Sequence, residues 1–470
     1  MSSVVPQVAE VPDADLGTRT RRRIDPTTLR HWSAPAVLVL VAFILVGLHV
    51  TEYAKVGPVD ELQHIDYLYK SPAIVAPGDS VGQDAMREEA CRGIDSAGFV
   101  TPACSTTAVY NPRVFQELGY NTASINTPVY YTLTKVFALP LKLVTGIGSL
   151  VTTGRLVGGL WLAVGLLLAY ASGRRLGIDR VPLAAVLIAF ACAPSVLYPS
   201  ATITPDAASF AVGAGIFLAC LYWEGAPRRR WPVLALVVAV ALLIKMTNVM
   251  LLLAVGLYFV IRIVRALVER RSSDLPRDAS HDADDRAVAP WILGGIVVSV
   301  TTVVVLGATM AIQGALAHGN AVTPMSERFA VDAFPLRGMI EQIGVFLYPL
   351  GASGVSVGNG LLQMITERAI GTFFVAGLVG AALFWTPSIR TRSYAQALLL
   401  TAIIGGPIFV LVSFYGQGVY VPPPGRYAAT LVPVVAVLTA GLLKTREATW
   451  LVSLGAAGML LATLVRLLSV

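Results

Sequence analysis

The sequence predicts an all-α, polytopic membrane protein with about eleven transmembrane helices and a large first extracytoplasmic loop. Three observations carry this. The 470 residues are 55% hydrophobic and only 13% charged, where soluble domains carry about 25% charged residues. Apolar runs approaching the ~20 residues of a bilayer-spanning helix recur along the chain. The basic residues that give the net charge of +7 sit in short clusters between those runs, at 19–23, 173–175, 228–230 and 269–271. That placement marks cytoplasmic loops in a membrane protein and excludes a nucleic-acid-binding surface.

Residues 1–33 are polar and lack a cleavage pattern, so they read as a disordered cytoplasmic tail before a retained first helix at 34–52. The remainder, 34–470, reads as one transmembrane domain. The segment 53–125 then lies outside as the first extracytoplasmic loop. Residues 127–148 are apolar but interrupted by Lys135, Pro140 and Lys142. If they spanned, Arg174 and Arg175 would fall outside, so this stretch is expected to lie at the interface. Ten further spans follow near 152–172, 181–200, 206–223, 231–246, 249–266, 290–312, 369–386, 394–415, 427–443 and 448–468. This threading makes 267–289 a cytoplasmic loop and 313–368 a second extracytoplasmic one. No internal repeat, phosphate-cradling glycine loop or metal-spaced Cys/His set is visible. Cys91 and Cys104 share the first outer loop, an oxidising setting that permits a disulfide. Cys192 and Cys220 fall within helices and read as small buried hydrophobes.

Candidate chemistry lies in short polar motifs that all thread to the outer face. "VGPVDELQHIDYLYK" (56–70) presents Asp60, Glu61, His64 and Asp66 directly after the first helix. On a helix beginning near Pro58, Asp60, His64 and Tyr67 share a face with Glu61 beside it. The two acids would equally serve to open a surface helix. Asp206, in "TPDAAS", follows Pro205 at a helix start. Lys245 and Asn248 interrupt "LLIKMTNVMLLL", a tight turn or a broken helix, where Lys245 could snorkel or meet an anionic head group. Arg426 and Tyr427 follow the proline run of "VPPPGRY", and Arg suits phosphate through its planar fork. Tyr131 belongs to "NTPVYY", at a return to the membrane surface. An acid to take a proton and cations to hold a phosphate are what transfer from a phosphate-activated donor needs.

In this order, "VDELQHIDY", "NTPVYYTLTK", "TPDAAS", "LLIKMTN" and "PPPGRYAATLVP" resemble a broad family of bacterial polytopic membrane proteins, itself similar to the GT-C glycosyltransferases. Those include protein O-mannosyltransferases and the aminoarabinose transferase of lipid A. The resemblance covers about 34–445. It implies a GT-C-like fold in the bacterial plasma membrane, with a cytoplasmic N-terminus and an extracytoplasmic active site. It also implies a polyprenyl-phosphate-linked sugar donor and Asp60 as general base, with Glu61 second in the pair; the expected acceptor is a cell-envelope glycan or lipid, positioned by His64 or Glu61. Arg426 and Lys245 would face the donor phosphate, with Asp206, Asn248, Tyr427 and Tyr131 completing the substrate site. A divalent metal could sit at Asp60, Glu61 and His64, although no pattern requires one. The chain departs from the family in carrying Pro424 where Gln precedes Gly-Arg-Tyr, and "NTPVYY" where a His or Lys precedes a Pro-Pro pair. The rival readings are a transporter or flippase of lipid-linked saccharide, and a non-catalytic envelope-assembly protein.

Overall fold

The computed structural model describes residues 26–96, 98–271, 288–318, 324–350, 360–384 and 389–469. Most of the expected tail, 1–25, lies outside these residues, as do 272–287 of the inner loop and 319–323 and 351–359 of the second outer segment. Among the described residues there is no strand, only three isolated bridges.

Helix α1 (Pro26–Glu52) leads into the segment expected to lie outside, which is folded and holds α2 (Glu61–Lys70) and α3 (Gln83–Arg92). Three 3-10 turns follow, and then α4 (Val129–Thr145) returns the chain to the bundle. Next come α5 (Leu150–Arg175), α6 (Arg180–Ala191), α7 (Pro194–Ser200), α8 (Ser209–Trp223), α9 (Pro227–Ile244) and α10 (Val249–Arg271). The second half holds α11 (Ala289–Leu316), the short α12 (Pro324–Phe329) and α13 (Leu336–Glu341), and α14 (Gly360–Phe384). It ends with α15 (Ile389–Gln417), α16 (Val432–Leu442) and α17 (Arg446–Leu468).

Nine helices among the described residues are long and apolar enough to cross a membrane, and the pair α6–α7, bent by 70°, would make a tenth. The expected count of eleven is therefore corrected. The missing one is 231–246. Helix α9 stops at Ile244, and Arg228, Arg229 and Arg230 in its first turn leave it a shorter apolar length than the nine have. Two boundaries also move. Helix α1 already begins at Pro26, inside the expected tail, and α14 begins at Gly360, nine residues before the expected span at 369.

The stretch expected at the interface forms α4, and its packing explains its mixed composition. Seventeen residues reach about 25 Å at 1.5 Å per residue, short of the ~30 Å hydrocarbon core. Tyr130, Tyr131, Thr134 and Ala138 are buried on one face, whereas Val136, Phe137, Leu143 and Val144 remain exposed on the other. Lys135 is turned back to the protein, donating to the carbonyls of Tyr69 (2.8 Å) and Ser71 (2.7 Å).

The first outer segment has a core of its own. Leu62, Ile65, Leu68, Val81, Met86 and Phe115 pack together with Val151 and Ile203 from the bundle. A disulfide joins Cys91 to Cys104 at the end of α3. Asp66 knots the segment by accepting from Gly82 N (2.8 Å) and Asn121 Nδ2 (2.7 Å) and pairing with Lys70 (2.7 Å). Glu89 is the exception, with both carboxylate oxygens buried and without a partner among the described residues. Burial, reinforced by the charge of Glu61, pushes its carboxyl up to about 7.

The fold thus favours protonated Glu89. Its contribution is fully present below the ordinary carboxylate range and is lost as pH rises through 7, on the order of 3 kcal/mol in all. Glu89→Gln should remove this pH dependence, keeping hydrogen exchange of residues 61–92 slow at pH 8, where the wild-type segment loosens. Equal exchange rates for the two proteins at pH 8 would contradict that origin.

Candidate active site

Four charged side chains from four separated segments meet where the outer segment covers the bundle. Each is placed by a local break in helical structure. Asp60 precedes α2 in the left-handed conformation (φ 58, ψ 10), and its side chain caps nothing. A non-glycine residue there costs about 1 kcal/mol. Its effect is to turn the Asp60 carboxylate out of the helix face it would otherwise share. The expected helix start near Pro58 is thereby corrected to Glu61.

Asp206 sits in a 3-10 turn begun by Pro205, with Thr204 Oγ1 accepting from the Asp206 amide (3.4 Å). Lys245 is an extended residue (φ −158, ψ 127) between the end of α9 and the turn leading into α10. Arg426 follows Pro424, whose backbone is extended (φ −67, ψ 145), and opens a 3-10 segment at Gly425. A side chain at Gly425 would meet the Tyr348 carbonyl oxygen at 2.6 Å, so the close approach of the two backbones requires glycine.

The resulting cluster alternates in charge. Lys245 pairs with Asp206, and both side chains are 11% exposed. Arg426 lies between the acids, 3.6 Å from Asp60 Oδ2 through Nη2 and 3.9 Å from Asp206 Oδ2 through Nε. Both separations exceed hydrogen-bond length, so the guanidinium fork is not committed to either acid. The Tyr427 ring lies beside the two cations, its centroid 5.2 Å from Lys245 Nζ and 5.9 Å from Arg426 Cζ. Asp60 remains 46% exposed through its side chain. The surrounding protein desolvates it and pushes its carboxyl above the usual range, with the Arg426 guanidinium pulling the other way.

Other candidates from the sequence are brought near but committed elsewhere. Glu61, expected to assist Asp60, points the opposite way. Its oxygens take two hydrogen bonds from Arg155 (2.9 and 2.7 Å) and one each from Gly57 N (2.5 Å) and Ile203 N (2.8 Å). Glu61 and Arg155 are each 1% exposed. Glu61 is therefore a structural anchor, with no oxygen left to position an acceptor. The metal set of Asp60, Glu61 and His64 is broken up for the same reason, and no other converging group of three such ligands occurs among the described residues.

His64 contacts Tyr131 rather than Asp60, with its Nδ1 2.7 Å from the hydroxyl. Burial, helped by the nearby Lys245 and Arg426, holds its pKa down to about 3. Its imidazole is neutral at any physiological pH. Tyr131 is fully buried, stacked on Tyr67 with ring centroids 4.1 Å apart, so it supports His64 instead of lining the site. Asn248 is also buried, and its amide donates to Ala241 O (2.8 Å) across the break between α9 and α10. It holds the turn that presents Lys245.

Two residues were missed from the sequence. Arg155 was passed over inside an apolar span, although a lone Arg at membrane depth is itself a signal. Glu117, also left-handed (φ 51), pairs with Arg328 of α12 at 3.1 Å and adds negative charge near Asp60.

An all-helical bundle with nine candidate spans among the described residues is that of a polytopic membrane protein and is consistent with a GT-C-like fold. Residues 134–272 match the family of dolichyl-phosphate-mannose-protein mannosyltransferases, which supports a GT-C-type glycosyltransferase. The matched stretch holds Asp206, Lys245 and Asn248, while Asp60 and Arg426 lie outside it. No curated protein matches the chain.

Proposed function

We propose that the protein transfers a sugar from a polyprenyl-phosphate donor to a hydroxyl of a cell-envelope glycan or lipid, with inversion, on the outer side of a bacterial plasma membrane. The observation that carries this is the meeting of Asp60, Asp206, Lys245 and Arg426 in one cluster. The acceptor hydroxyl gives its proton to Asp60 as its oxygen attacks the anomeric carbon. The bond from that carbon to the phosphate oxygen breaks, and the phosphate leaves with the electron pair. Charge then builds on the phosphate, where Arg426 and Lys245 stabilise it. The raised pKa of Asp60 makes it a better proton acceptor than an ordinary carboxylate. Asp206 holds Lys245 in place, and Tyr427 supplies a flat wall beside both cations.

The test is sugar transfer from a radiolabelled polyprenyl-phosphate donor by protein reconstituted in vesicles. Arg426→Gln should lower kcat/KM by about 100-fold, the loss of one charge-stabilising donor group. Arg426→Lys should recover only part of it, because a point charge cannot make a forked contact. A wild-type protein that moves the intact lipid-linked saccharide across the membrane without cleaving it would replace this reading with the transporter reading.

A further inference from the structure

At the end of the bundle away from the charged cluster, α5 closes with Arg174 and Arg175, and α9 opens with Arg228, Arg229 and Arg230. Two of these five converge. The Cζ of Arg230 lies 3.9 Å from the centroid of the Tyr222 ring, and that of Arg175 lies 5.8 Å from the same ring. Arg230 Nη1 also donates to the Tyr222 carbonyl (2.7 Å). The turn between α8 and α9 contains Gly225, whose lack of a side chain lets the Arg230 guanidinium lie against the turn. The point where its side-chain carbon would stand is 2.8 Å from Arg230 Nη1 and 3.7 Å from Arg175 Nη2.

Among the described residues neither Arg175 nor Arg230 makes an ion pair. The adjacent Glu224 is already saturated, accepting from Tyr258 (2.9 Å) and Tyr394 (2.6 Å) and pairing with Arg390. Arg174 is turned away to the Ile178 carbonyl (2.5 Å). Two guanidinium groups held together over one ring repel each other until an anion lies between them. Planar guanidinium forks select phosphate oxygens. The surroundings set the depth at which that phosphate would be met. Tyr222 (39% exposed) and Trp231 (46%) mark an interfacial aromatic level, and Leu236 (63%) continues an uncovered apolar strip along α9.

We infer that Arg175 and Arg230, framed by Tyr222 and the Gly225 turn, bind the phosphate of an anionic phospholipid head group in the leaflet opposite the charged cluster. The acyl chains lie along the exposed strip of α9. The site is separate from the proposed transfer reaction and does not depend on it. It anchors the α8–α9 corner, and through α8 and α9 it braces the two elements that carry Asp206 and Lys245 at their other ends.

Binding of short-chain phosphatidylglycerol to the full-length protein in a zwitterionic detergent, read by native mass spectrometry, tests this. The wild type should retain one phosphatidylglycerol in preference to phosphatidylcholine. Arg175→Gln with Arg230→Gln should weaken that retention by at least about tenfold. Arg228→Gln with Arg229→Gln, which removes the same charge from the neighbouring positions, should leave it unchanged. Gly225→Val, which keeps every charge and pushes the Arg230 guanidinium out of place, should weaken it as well, so the proposal stays testable if the double arginine variant fails to fold. Equal losses in both double variants would reduce the site to general surface charge. Occupation by inorganic phosphate at millimolar concentration, with displacement of the lipid, would assign it to a free anion. Either result, or unchanged retention in the Arg175/Arg230 and Gly225 variants, overturns the inference.

Discussion

Asp60→Asn should abolish sugar transfer, lowering kcat by about 100- to 10,000-fold, the range for removal of a positioned general base, while donor binding stays close to wild type. The substitution is a clean probe for two reasons. Asparagine tolerates the left-handed backbone at this position nearly as well as aspartate, so the turn into α2 should persist. Arg426 touches Asp60 only at 3.6 Å, so its approach to a phosphate does not depend on that contact. The pH profile supplies an independent readout. Because the surrounding protein raises the pKa of Asp60, the wild-type rate should fall on the acid side at a pH above the ordinary carboxylate range. Asp60→Asn should lose that limb along with most of the rate. Retention of kcat within a few-fold would remove Asp60 from the chemistry and leave the base to another group, whereas no transfer by the wild type would favour the non-catalytic assembly reading.

The second large effect concerns stability. Glu61→Ala leaves the Arg155 guanidinium buried without its counter-charge and frees the amides of Gly57 and Ile203 of their acceptor. Breaking a buried pair from one side costs about 3–5 kcal/mol. The midpoint of thermal unfolding in detergent should drop sharply for Glu61→Ala and for Arg155→Ala. Glu61→Gln combined with Arg155→Met should lose less than either, since no lone charge remains. Additive losses in the combined variant would show that the two side chains act independently. The contrast with Asp60 is itself informative. Of two adjacent acids, one variant should fail in activity and the other in folding.

Much of this arrangement was legible in the sequence. The apolar runs and basic clusters located the helices, and the four charged residues were singled out because they thread to one face. What the sequence did not reveal was the division of labour within "VDELQHIDY". A continuous helix from Pro58 would have grouped Asp60 with His64. The left-handed turn at Asp60 separates them, and a local backbone state of that kind depends on tertiary packing. Glu61 was misassigned because its partner, Arg155, lies 94 residues away in a segment whose hydropathy announces only a span. The break at Lys245 was read correctly, and α9 was overcounted because three arginines open it and it ends at Ile244, which leaves a short apolar stretch. Hydropathy measures how oily a stretch is, and it is silent about where the helix axis breaks.

The uncovered apolar face of α4 carries a kinetic consequence. Under the proposed function, Val136, Phe137, Leu143 and Val144, exposed on this helix, meet lipid beside the segment that bears Asp60. A donor held in the same bilayer reaches the cluster by lateral diffusion in two dimensions. For such an enzyme, saturation is governed by the mole fraction of donor among the surrounding lipids, and dilution with inert lipid slows turnover even when the total amount of donor is constant.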